Sequence, residues 1–140
     1  MGNNKIMKNN THGNFVLSEQ QSKLVRTVLL ELSHSSAEVE ASAVVSIEGV
    51  TIASSLREGV DSDQVGVMCA SLLALAETAS SEFKRGKLKQ LMIDAECGFV
   101  LIVHVDEMAA LVLVTQTSNN VGMVFLEASK TAQHIAKILA

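Results

Sequence analysis

His104, His134, Cys97 and Asp94 are the side chains whose types could assemble a metal site. Their spacing argues against one. Protein zinc sites draw ligand pairs from positions a few residues apart, and no His or Cys here has a second His or Cys at such a distance. His104 lies inside the apolar run FVLIVHV, where a hydrogen-bonded core histidine is the expected role, and His134 falls on a helical segment as a surface residue. Glu58, Asp61 and Asp63, and then Asp106 with Glu107, are acid clusters of the kind that serve as general acid and base. A helix N-terminus explains the first and an exposed turn the second. Ser54, Ser55, Ser80 and Ser81 have no histidine in a nucleophile-elbow setting. Gly49, Gly59 and Gly66 are isolated and none leads into Gly-Lys-Ser/Thr, so the chain itself is not expected to bind GTP. No catalytic residue, metal or cofactor is expected, and the chain does not read as an enzyme.

Composition narrows the remaining choices. A chain of 140 residues that is 48% hydrophobic can bury a full core as one domain. The net charge of −4, no Trp, no Tyr and four Phe leave neither a basic field nor stacking rings for nucleic acid. Cys69 and Cys97 do not form a C-x-x-C pair, and both lie in apolar-patterned segments. Small buried hydrophobes are the first expectation for both, with a disulfide or reactive thiol behind it. No apolar run approaches the ~20 residues of a membrane span, so no membrane insertion is expected and the cytoplasm is the default compartment.

The elements follow from periodicity and punctuation. Residues 1–14 are polar and Asn-rich and read as a disordered tail, with a folded domain over 15–140. Ser18 and Gln21 form a capping box, and Leu24, Val28, Leu29 and Leu32 continue at helical spacing for about four turns. A polar linker, SHSSAEVEAS, follows. Residues 43–47 and 50–54 are β-branched runs around Glu48-Gly49, an antiparallel hairpin with a two-residue turn. A helix is expected over Asp63 to Phe83, capped by Ser62 or Asp63 and closed before Gly86. Three strands follow at 88–96, 99–105 and 110–115; the middle one is continuously apolar, as expected of a central strand covered on both faces. Residues 117–120 offer caps for a last helix to about Leu139, with Leu126, Ile135, Ile138 and Leu139 inward. The order is helix, two strands, helix, three strands, helix. It implies an α/β fold, a five-stranded antiparallel sheet with helices on both faces.

The second helix carries the functional signal. On a helical wheel, Val65, Met68, Cys69, Leu72, Leu75, Ala76, Ala79 and Phe83 share the face expected to meet the sheet. The opposite face holds Val67, Ala70, Ser71, Ala74 and Thr78, where a solvated helix would carry Lys and Glu. A surface so small and uncharged fits close approach by a partner, or cover by the chain's own tail. In the strand LKQLMIDAE, Leu91, Met92, Ile93 and Asp94 put residues on both faces, and at a sheet edge its backbone would need pairing. Two copies joined edge to edge, second helices side by side, satisfy both surfaces in one isologous contact.

SIEGVTIASS, EGVDSDQVGVMCASLLALAE, GKLKQLMIDAECGFVLIVHV and NVGMVFLEASKTAQHIAKIL, in that order, resemble the Roadblock/dynein light chain family over about Glu19 to Ile138. The short single-domain form is similar to prokaryotic members that regulate Ras-like small GTPases. The resemblance implies a profilin-like α/β sandwich, a homodimer or a heterodimer with a sister Roadblock-like module, and a small GTPase as partner. It supplies no catalytic or metal residues. It maps the interface onto the second helix and the strand after it. Arg57 and Arg85 flank that surface, and an inserted arginine can neutralise transition-state charge in GTP hydrolysis; an ordinary surface role is the plainer reading of both. The expected function is a non-catalytic adaptor or regulator of a Ras-like GTPase, extending to GTPase activation if an arginine is inserted. The alternative is a profilin-like small-ligand sensor, which would need a cavity with convergent polar groups.

Overall fold

The computed structural model describes residues 17–116 and 120–140. The tail expected over 1–14, and residues 117–119 of the expected cap segment, lie outside the described residues. Helix α1 (Glu19–Ser35) begins with the expected capping box: Gln21 N donates to Ser18 Oγ at 3.0 Å and Ser18 N donates to Gln21 Oε1 at 3.1 Å. Gln21 Nε2 also donates to the Ile138 carbonyl at 3.0 Å, joining the start of the first helix to the end of the last. Val25, Val28, Leu29 and Leu32 are the buried face, spaced i, i+3, i+4, i+7. That phase leaves Leu24, expected inward, at the margin and 49% exposed.

Strand β1 (Val39–Ser46) starts inside the segment expected to be a linker. It is drawn in by β5 (Ala109–Thr115), whose register with it runs from Val39↔Thr115 to Ser46↔Ala109. Strand β2 (Thr51–Ser55) completes the hairpin through residues 47–50, a longer turn than the expected two-residue one. Gly49 N donates to the Ser46 carbonyl at 3.0 Å within that turn. Helix α2 (Ser62–Glu82) starts one residue early because Asp61 Oδ1 accepts from Asp63 N at 3.0 Å. Strands β3 (Gln90–Ala95) and β4 (Gly98–His104) precede β5, and α3 (Val121–Leu139) ends the chain.

The sheet is antiparallel throughout, in the order β2-β1-β5-β4-β3. The central strand is therefore β5, with Ala109 to Leu113 all buried, and not the expected β4. Both runs are equally apolar; only their pairing separates them, and β4 sits one place from the edge with Val100, Val103 and His104 half-buried. Helices α1 and α3 cover one face, where Leu29, Leu101, Leu111, Leu113, Val124 and Ile135 form the main core. Helix α2 lies over β1 and β2 on the other face, above Ala43, Val45, Ile102, Ala110 and Val112. On α3, Val124, Ala128, Ala132, Ile135 and Leu139 are buried and Ile138 is half-buried, but Leu126, expected inward, is 50% exposed. Among the described residues, no helix is long and apolar enough to cross a membrane.

Candidate interaction surface

Gly66 decides how α2 sits. A Cβ at this position would lie 2.6 Å from the Gly49 carbonyl oxygen and 2.7 Å from Thr51 Oγ1. The helix backbone thus rests directly on the β1–β2 hairpin, an approach only glycine permits. Thr51 Oγ1 donates to the Ser62 carbonyl at 2.5 Å and fastens the first turn there. Cys69 and Leu73 continue the buried line at i+3 and i+7.

This seating rotates α2 relative to the apolar wheel. Val65, Cys69, Leu72 and Ala76 face the sheet as expected, but Met68, Leu75 and Phe83 do not: they are 52%, 69% and 73% exposed. Ala79 is exposed with them. Of the residues expected on the outer face, Val67, Ser71, Ala74 and Thr78 are exposed, whereas Ala70 is half-buried beside the hairpin turn at Gly49. Glycine has no apolar weight, so a wheel cannot see the contact that sets the phase. The outer face gains Met68, Leu75 and Phe83 in consequence and becomes more apolar than the sequence suggested. Its hydroxyls are turned inward: Ser71 Oγ and Thr78 Oγ1 donate to the Val67 and Ala74 carbonyls, each at 3.0 Å. These i−4 bonds leave no hydroxyl proton pointing at solvent.

Because α2 covers the β1 side of the sheet, a groove of about 550 Å³ remains between it and the strands toward β3. Met68 and Leu72 form one wall, Ile93, Val100 and Val112 the other, and Arg57, Glu58 and Glu40 stand at the mouth. Arg57 Nη1 is held by Glu40 Oε2 at 2.6 Å. Arg85 lies in the exposed loop after α2, so the two arginines sit at opposite ends of the helix. Cys69 is buried beside the groove, and burial pushes its thiol above its ordinary value of 9.0, so it is protonated at neutral pH. Cys97, expected buried, is exposed just after β3, where the chain turns into Gly98. A side chain at Gly98 would overlap the Thr115 carbonyl.

Among the described residues, strand β3 is an edge strand paired with β4 alone. Leu91 packs toward the α2 side and Ile93, 39% exposed, lines the groove; Met92 packs toward the α1/α3 side, and Asp94 is exposed. The exposed face of α2, the groove and this open edge are contiguous. His104 Nε2 lies 3.1 Å from Glu77 Oε2, a satisfied histidine as expected but partly exposed, and His134 is on the surface. Asp106 Oδ1 accepts from Met108 N and Ala109 N, closing the β4–β5 turn. Among the described residues, no three His, Cys, Asp or Glu side chains converge to hold a metal ion.

A Roadblock/LC7 domain model matches residues 26–115. The chain belongs to the Roadblock/LC7 family. An uncharacterised protein of Methanocaldococcus jannaschii, MJ1340, is 34% identical over 112 residues, covering 80% of this chain and 96% of that one. Myxococcus xanthus MglB has a similar structure, with a TM-score of 0.80 at 16% identity over 90% of this chain and 97% of MglB. An MglB structure with a tetrameric arrangement gives 0.77 at 19% identity over 89% and 93%. Profilin IB of Acanthamoeba castellanii gives 0.58 at 18% identity over 84% and 98%. At these identities the structural likeness shows the fold alone: a Roadblock/LC7, profilin-like α/β sandwich.

Proposed function

We propose that this Roadblock/LC7 chain acts as a non-catalytic adaptor that pairs through α2 and the β3 edge and regulates or positions a Ras-like small GTPase. The observation that carries this reading is the apolar, sparsely charged outer face of α2. Val67, Met68, Leu75 and Phe83 are all more than half exposed beside an apolar groove and an open sheet edge. Taking a fully exposed large apolar side chain out of water contributes about 1.5–3 kcal/mol. These more than half-exposed groups, three on α2 and Phe83 at its C-cap, therefore favour a covering partner. Family membership supports a paired module in which a GTPase is the second partner, and the MglB structure with a tetrameric arrangement is an assembly on the same fold. A homodimer and a pair with a sister Roadblock-like module both fit this reading.

Arg57 supports an inserted-arginine role only after it leaves Glu40, since its guanidinium is engaged at 2.6 Å. Regulation by reshaping the GTPase's own switch segments needs no such release. The test is a pull-down on the tagged protein with the source lysate loaded with a GTP analogue or GDP. The expected result is a small GTPase enriched in one nucleotide state, lost together with self-association in Ala74→Glu. A variant that keeps both contacts would sink the reading of the α2 face. If a GTPase is found, hydrolysis rates with Arg57→Ala decide whether the arginine contributes.

The groove favours a second reading. Its volume of about 550 Å³ lies within the range of small-molecule sites, and Arg57, Glu40 and Glu58 supply polar groups at its mouth. A profilin-like sensor would bind an apolar-bodied metabolite there. A rise in melting temperature with one compound in a metabolite screen, absent in Leu72→Glu, would favour it over the adaptor.

A further inference from the structure

A second hollow lies apart from the groove beside Met68 and shares no lining residue with it. It holds about 630 Å³, within the range of small-molecule sites, and lies between the C-terminal third of α2, the loop into β3 and the β4–β5 turn. Leu88, half-buried against the α2-side core, gives it an apolar patch. Two cations, Lys87 and Lys89, and three carboxylates, Glu77, Asp106 and Glu107, line it together with His104. Two of the acids are already engaged. Glu77 Oε2 lies 3.1 Å from His104 Nε2, and Asp106 Oδ1 accepts from Met108 N at 2.8 Å and Ala109 N at 2.9 Å. Lys87, Lys89 and Glu107 are exposed, and among the described residues none of the three has a side-chain hydrogen bond or ion pair. Opposite charges thus share one hollow without closing on each other.

The walls are set before anything binds. Ser80 Oγ donates to the Gly86 carbonyl at 2.6 Å and Arg85 N donates to the Ser80 carbonyl at 2.8 Å, which ties the loop carrying Lys87 to α2. The two Asp106 bonds fix the turn that carries Glu107. Groups already in place lose little freedom when a ligand arrives. An anion alone would meet Lys87 and Lys89 but also three carboxylates, and a cation alone would meet Glu107 but also two ammoniums. A molecule carrying both charges engages every unpaired group with charge-assisted hydrogen bonds. We infer that this hollow binds a free α-amino acid with an aliphatic side chain. Its carboxylate lies on Lys87 and Lys89, its ammonium on Glu107 and the second Asp106 oxygen, and its side chain on Leu88. The assignment goes beyond both readings above, since it needs neither the outer face of α2 nor the groove. Bound there, the amino acid joins the loop after α2 to the β4–β5 turn.

The experiment is a calorimetric titration of the full chain at low salt with L-leucine and with glycine. Two one-charge analogues of L-leucine accompany them: isocaproate lacks the ammonium and isoamylamine lacks the carboxylate. L-leucine is expected to bind, and each analogue at least about tenfold more weakly, because each forfeits a charge-assisted contact. Glycine, with no side chain for Leu88, is expected to bind more weakly than L-leucine. Lys87→Gln combined with Lys89→Gln, and separately Glu107→Gln, should each weaken L-leucine binding at least about tenfold. Urea unfolding of these variants should match the unaltered chain, since all three side chains are exposed. Arg57→Gln, at the mouth of the groove, should leave L-leucine binding unchanged. Failure of both L-leucine and glycine to bind at tens of millimolar would overturn the inference. Isocaproate binding as tightly as L-leucine would also overturn it, because the hollow would then take an anion. Binding that survives both hollow variants, or that is lost in Arg57→Gln, would place the amino acid elsewhere and sink the assignment.

Discussion

The two faces of the sheet are finished differently. Among the described residues, sixteen buried on the α1/α3 face form a closed core, and two helices tied by the Gln21–Ile138 bond seal it. On the α2 face the described residues include seven buried ones, and α2 stands to one side, over β1 and β2. The first face completes itself within the chain. The second stops half-way, at a groove and an open edge strand, and puts large apolar groups into water. A fold that can close one face fully has no need to leave the other open for its own stability, so the open face is the one to read for function.

The comparison can be broken most directly at the closed face. Leu111→Ala, at a fully buried position, should cost about 2–5 kcal/mol in urea unfolding through lost burial and the cavity left behind. A loss below about 1 kcal/mol would mean that this core is as loose as the other side. Gly66→Ala should cost about 1–3 kcal/mol by overpacking against Gly49 and Thr51. It should also disturb self-association by shifting α2, and retention of full stability would refute the account of how that helix is seated. Ser18→Ala removes one half of the capping box and should cost about 1 kcal/mol, read from the thermal midpoint.

The open face should respond in the opposite sense. Leu75→Ala, at 69% exposure, should change the stability of the isolated protomer by no more than about 0.5 kcal/mol while weakening self-association in sedimentation. A large stability loss with pairing unchanged would place Leu75 in the core after all. The cysteines give the mildest probe. Exposed Cys97 should react promptly with a thiol reagent in native protein, and buried Cys69 only after denaturation. The folded Cys69 thiol keeps its proton to higher pH than the unfolded one. Its contribution to stability is therefore intact below 9.0 and is lost as pH rises through the folded value, a fall that Cys69→Ala should lack.

Much of this architecture is legible in local residue patterns. The Ser18–Gln21 capping box, the turn at Gly49, the eight elements in order and the dry back of α2 all follow from short-range chemistry that each segment carries with it. Where the reading failed, the cause was a contact with a distant segment. β4 and β5 are equally apolar, and β5 became central because β1 pairs with it. β1 extended into a polar stretch for the same reason. Cys97 sits in an apolar-patterned segment, yet a turn carries it to the surface.

The residues of the proposed α2 surface divide along the same line. Val67, Ser71, Ala74 and Thr78 were visible as an uncharged helix back, and the charged runs at either end of that helix are plain in the sequence. Met68, Leu75 and Phe83 were not recognisable as exposed, and Ala70 was not recognisable as half-buried. Hydrophobic periodicity specifies that α2 has an apolar stripe, but the stripe is wide enough to accept several rotations about the helix axis. The backbone contact of Gly66 on the hairpin selects one of them. By itself, then, the sequence determined which elements form and that one helix carries surplus apolar surface. Only the tertiary structure decided which side chains make up that surface, because that choice depends on a close approach between segments that no local pattern encodes.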